Sequence, residues 1–123
     1  MSNMPYVVWN VDGKEFRLRL TTMNVVRLEE KLGRNPADIF LALSDGQLPK
    51  MGDILTILHQ SLQSLHSGYS VEKAAGLLDS YFEEGHSVYE FLTDTVMKVF
   101  QSAGLLGKEM ESEEDEEKED PNV

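Results

Sequence analysis

The sequence predicts an α+β fold that is mainly α: an N-terminal β-hairpin, then four to five short amphipathic helices packed as a small bundle, then a disordered acidic C-terminal tail. Three observations carry this expectation. Asp12-Gly13 sits between two short runs of strand-forming residues, the strongest short-range hairpin signal. From Met23 to Val99 apolar residues recur every three or four positions, punctuated by capping residues and glycines, as helices on one core require. Finally, Glu109 to Asp120 holds nine acidic residues and one lysine, a composition that repels itself and has little to bury. The expected division is therefore 1–107 for the folded domain and 108–123 for the tail.

The elements follow in order. In the first strand Tyr6, Val8 and Asn10 alternate with Val7, Trp9 and Val11, so both faces carry apolar side chains. Such a strand is either covered on both sides or open to a neighbour. The second strand alternates more cleanly, with Phe16, Leu18 and Leu20 opposite Glu15, Arg17 and Arg19. A lone hairpin is marginal in water and needs the helices that follow or strands from another chain. The first helix spans about Met23 to Leu32, with a threonine cap, a stripe of Val25, Leu28 and Leu32, and Gly33 as its stop. Asn35 is the expected cap and Pro36 the expected first residue of a second helix reaching about Leu43. After a turn-rich loop from Ser44 to Pro49, a third helix runs from Gly52 or Asp53 to His66, with Ile54, Leu55, Ile57, Leu58, Leu62 and Leu65 on a broad apolar face. Ser70 caps the fourth, which carries Val71, Ala74, Ala75, Leu78, Tyr81 and Phe82 and ends at Gly85. Ser87 and Glu90 have the spacing of a capping box. The stripe of the fifth helix is Val88, Phe91 or Leu92, Thr95 or Val96, and Val99.

Composition narrows the chemistry. At 123 residues the chain can bury a core without staples, and with no cysteine it has neither disulfides nor thiolate metal ligands. The net charge is −11, but residues 1–108 hold thirteen acidic against ten basic residues. Positive charge is gathered only at Arg17, Arg19, Arg27, Lys31 and Arg34, interleaved with Glu15, Glu29 and Glu30. That pattern reads as a solvated face and argues against nucleic acid as a partner. No apolar run is long enough for a membrane span, and the N-terminus has no basic region followed by an apolar one, so no signal peptide is read.

No residue set points to catalysis. His59 and His66 lie seven positions apart, about two helical turns, too far to share one metal, and His86 is the only other imidazole. Asp79, Glu83 and Glu84 form an acidic cluster whose ordinary reading is a solvated helix end. No nucleophile elbow or glycine-rich phosphate loop is present, so neither an enzyme nor a cofactor is expected. The candidate partner-binding residues are Trp9, Phe16 and Leu18 on the hairpin.

With these segments in view, the chain resembles the tail assembly chaperones of long-tailed phages and prophages of Gram-positive bacteria. The resemblance is carried by the hairpin, by Thr21 to Phe40 (TTMNVVRLEEKLGRNPADIF), by Leu48 to His59 (LPKMGDILTILH), by Tyr81 to Ser87 (YFEEGHS) and by Val99 to Gly104 (VFQSAG), and covers roughly residues 7 to 107. It implies a protein that binds the long helical tape measure protein in the bacterial host cytoplasm, keeps it soluble, assists polymerisation of tail tube protein around it, and is absent from the finished virion. It further implies that this chain is the shorter of two products, the longer arising by a programmed frameshift. Self-association through the hairpin edge is a further expectation. The competing reading is a structural subunit, a tail terminator or head–tail connector; a small regulatory or anti-repressor protein is disfavoured by the missing basic surface.

Overall fold

The computed structural model describes residues 6–107. The tail predicted for 108–123 lies outside the described residues. Strand β1 (Val7–Val11) pairs antiparallel with β2 (Lys14–Leu18), Trp9 opposite Phe16 and Val11 opposite Lys14. Asp12 and Gly13 both take positive φ, 57° and 70°, the type I′ turn whose twist matches the two strands. Five helices follow: α1 (Thr22–Leu32), α2 (Asp38–Ser44), α3 (Met51–Leu62), α4 (Val71–Glu83) and α5, which spans 88–102.

The inward row of the hairpin, Trp9, Val11, Phe16, Leu18 and Leu20, forms one wall of the core. Helix α3 is its centre, packing on α1, α4 and β2, while β1 lies against α4 and α5. Ile54, Ile57, Leu58 and Leu62 are the α3 side chains buried there. An edge-on contact of Phe40 with Phe100, ring centroids 5.6 Å apart, ties α2 to α5.

Most boundaries agree with their local signals, and the differences have physical reasons. Thr21 caps α1 and forms a reciprocal box with Asn24, and Gly33 ends the helix at φ 74°. Helix α2 starts two residues later than expected. The Asn35 side chain accepts from the Ala37 N–H, making an Asx turn, and Asp38, Ile39 and Phe40 donate to carbonyls three residues back, so the segment enters the helix through tight turns. Helix α3 stops at Leu62 rather than His66, leaving Leu65 44% exposed. Ser87 caps α5 by accepting from the Glu90 N–H, but the return half of the expected box is missing because the Glu90 carboxylate is held by His86 at 2.9 Å.

Helix α5 contains a feature the sequence pattern hinted at without resolving. Residues Phe91–Val96 are π-helical, and the Met97 N–H donates to the Leu92 carbonyl five residues back. Buried side chains come in pairs at a spacing of four: Phe91 and Leu92, Thr95 and Val96, Val99 and Phe100. On a regular α-helix eight residues overshoot two full turns by about 80° at about 100° per residue. The wider turn of the π segment absorbs that drift, so both members of each pair face the core.

Candidate partner-binding surface

The three hairpin residues singled out as partner anchors are core residues. Trp9, Phe16 and Leu18 are 3%, 3% and 1% exposed. Trp9 is enclosed by Phe16, Tyr81 and Phe91, with ring centroids 6.2, 5.5 and 5.3 Å away. Its indole Nε1 is buried with no hydrogen-bond partner among the described residues. Of the two readings open for β1, its inward face is covered by the chain's own helices. A partner meeting the folded chain does not touch these side chains.

The groups around this cluster are used structurally. Tyr81 is 4% exposed; burial pushes its hydroxyl up, helped by the carboxylates of Glu90 and Asp94, to about 12 because a phenolate there loses hydration. The His86 ring stacks on Tyr81 at 4.4 Å while its Nδ1 meets Glu90. Of the acidic residues at the end of α4, Glu84 accepts from the Asp12 N–H at 2.7 Å and so fastens the hairpin turn. His66 lies beyond the end of α3, its Nε2 accepting from the Arg17 N–H at 3.1 Å and its ring edge-on to Phe16 and Tyr69. His66 and His86 therefore serve separate places, and no group of three metal-ligating side chains forms among the described residues.

An accessible surface is found instead at the corner where α1, α2 and α3 meet. A cavity of about 360 Å³ is bounded by Leu32 at the end of α1, Arg34 just beyond it, Ile39 and Ala42 of α2, the loop 47–50, and Asp53 of α3. Its lining mixes the aliphatic side chains of Leu32, Ile39, Ala42, Leu48 and Pro49 with Arg34, Gln47, Lys50 and Asp53, and the surface it exposes is mostly polar. Arg34 and Lys50 join no ion pair among the described residues, so their charge is available at the rim, moderated by Asp53. The surrounding segment also exposes apolar side chains: Leu41 is 69%, Leu48 56% and Met51 51% accessible. Exposed aliphatic side chains beside a charged, mostly polar depression suit an amphipathic helix that presents both an apolar stripe and a polar flank. Sequence reasoning missed this corner. The available signal was Leu48, an apolar residue inside an otherwise turn-rich loop.

Together the fold and this corner define a hairpin-led helical domain with an open depression where α1, α2 and α3 meet. The chain belongs to the family of unknown function DUF6096, whose match spans residues 7–123. Neither a curated protein nor a solved structure matches it. No helix among the described residues is long and apolar enough to cross a membrane.

Proposed function

We propose that this chain is a tail assembly chaperone of a long-tailed phage or prophage, acting in the host cytoplasm to keep a tape measure protein soluble while tube protein polymerises around it. The reading rests on the sequence resemblance across residues 7 to 107, and the observation that supports it best is the group of exposed apolar side chains, Leu41, Leu48 and Met51, around the corner depression. A tape measure protein exposes an apolar helical stripe along much of its length, and covering that stripe suppresses its self-association. The exposed Leu41, Leu48 and Met51 offer apolar contact to such a stripe, and the depression that Leu48 helps to line adds Arg34, Lys50 and Asp53 for polar contacts.

Co-expression tests the proposal. With the tape measure protein of its own gene cluster, the wild-type chain is expected to move that protein from the insoluble to the soluble fraction, and Leu48→Glu combined with Lys50→Glu to reduce the transfer while leaving the circular dichroism spectrum unchanged. No rescue by the wild-type chain overturns the chaperone reading. Mass spectrometry of purified particles addresses the structural-subunit alternative: a fixed copy number in the virion favours a terminator or connector.

A further inference from the structure

The two edges of the hairpin are treated differently. Because Val11 and Lys14 flank a two-residue turn, the N–H and C=O groups of residues 7, 9 and 11 point to β2, and those of Val8 and Asn10 point away. On β2 the outward groups belong to Glu15, Arg17 and, just past the strand, Arg19. Two of these three N–H groups are taken: the Arg17 N–H is held by His66 and the Arg19 N–H by the Ser61 carbonyl at 2.9 Å. Among the described residues the outer edge of β1 is held at its turn end alone, where Glu84 takes the Asp12 N–H. Among the described residues Val8 and Asn10 have no backbone partner, and both are exposed.

Natural edge strands are usually blunted by a charged residue, a proline or a bulge. The run Val-Val-Trp-Asn-Val has none of these. Its two outward residues are also self-complementary. In an antiparallel pairing of β1 with a second β1 about a two-fold axis through Trp9, each Val8 faces an Asn10, and each such pair exchanges two N–H···O=C bonds. On the solvent face the uncharged Val8 and Asn10 would separate the two copies of Arg17 and Glu15, so no like charges are forced together. With the Arg17 and Arg19 N–H groups already bonded, the β2 edge would end the sheet at four strands and close the assembly as a dimer.

We infer that the outer edge of β1 is a homodimerisation surface that joins two copies of this chain through a continuous antiparallel sheet, Val8 opposite Asn10. The inference is independent of what client the chain binds, and its test uses the chain alone. Sedimentation equilibrium from micromolar to millimolar concentration should show a monomer–dimer equilibrium. Amide exchange followed by NMR should show the Val8 and Asn10 amides slowing as the dimer fills, while Arg17 and Arg19, already bonded within the monomer, do not change with concentration. Val8→Pro removes an outward donor without touching a β1–β2 bond and should weaken dimerisation at least tenfold with the melting midpoint near wild type. Should that variant fail to fold, Val8→Lys, which keeps the N–H and places two cations near the axis, is to give the same weakening. A chain that stays monomeric across the range, a dimer whose Val8 and Asn10 amides exchange freely, or a folded Val8→Pro or Val8→Lys variant that dimerises like wild type overturns the inference.

Discussion

Replacing Trp9 by alanine separates a core residue from a surface anchor with one measurement. The side chain is 3% exposed and touches three aromatic rings, so truncation removes its transfer free energy and leaves a void walled by Phe16, Tyr81 and Phe91. Losses of roughly 3–5 kcal/mol are usual for such changes. Against a total stability of about 5–15 kcal/mol for a domain of this kind, that is a large share, and the variant should melt well below wild type. Trp9→Phe provides the control. It keeps ring packing and deletes a buried N–H that has no partner, which offsets part of the lost burial, so its loss should be clearly smaller. Because Trp9 is the only tryptophan, urea melts of the set are to be followed by far-ultraviolet circular dichroism rather than fluorescence. A loss within about 0.5 kcal/mol for Trp9→Ala, the range of an ordinary surface change, would refute the placement of Trp9 in the core.

Three further outcomes are expected. Leu58→Ala, at a fully buried position of α3, should cost about 2–5 kcal/mol in the same urea assay. Asn24→Ala should cost about 1–3 kcal/mol by leaving donors of the helix cap and of Ser64 unpaired, because the Asn24 carboxamide oxygen accepts from the Thr21 N–H, the Thr21 hydroxyl and the Ser64 hydroxyl; a loss within a few tenths would mean water replaces it. Tyr81, raised from 10.0 to about 12, holds its proton more tightly folded than unfolded, so its contribution to stability is complete below pH 10 and is lost as pH rises through 12; urea melts of wild type should weaken above pH 10 more steeply than those of Tyr81→Phe, and parallel slopes would show that this tyrosine is not the cause.

The elements that were legible in the sequence are those specified within a few residues. Asp12-Gly13 dictates a turn with two positive φ values, and Thr21, Ser70 and Ser87 each cap the helix that begins beside them. What escaped is set by residues far apart in the chain. Asn24 reads as an ordinary first-turn residue until Ser64, forty positions on, is found donating to it. His66 reads as part of a helix until the Arg17 N–H claims its ring nitrogen, a bond made possible because the chain turns away after Leu62. The doubtful choice between Phe91 and Leu92, and again between Thr95 and Val96, was itself the trace of the π segment, since a four-residue repeat fits no single stripe of an α-helix. The corner cavity draws on α1, α2, a loop and α3 at once, and no single stretch of sequence advertises it.

The placement of the open groups bears on how the surfaces work together. A two-stranded sheet is too small to stand alone, and this one is supported on its inward face by α3, α4 and α5 and along β2 by His66 and Ser61. What remains open on the hairpin is the β1 edge, and none of its residues borders the cavity at α1, α2 and α3. Pairing through Val8 and Asn10 therefore leaves the corner of each copy uncovered, and a two-fold dimer presents two such corners to one client. Two linked sites bind an elongated, repetitive client more tightly than either alone when the spacing lets both engage. Each surface is then separable by mutation: Val8→Pro should lower the client affinity of the dimer while leaving the binding of a single short client segment unchanged, whereas Leu48→Glu should weaken both. Equal effects of the two substitutions on the short segment would show that the edge and the corner are one surface, and would remove the basis for bivalent capture.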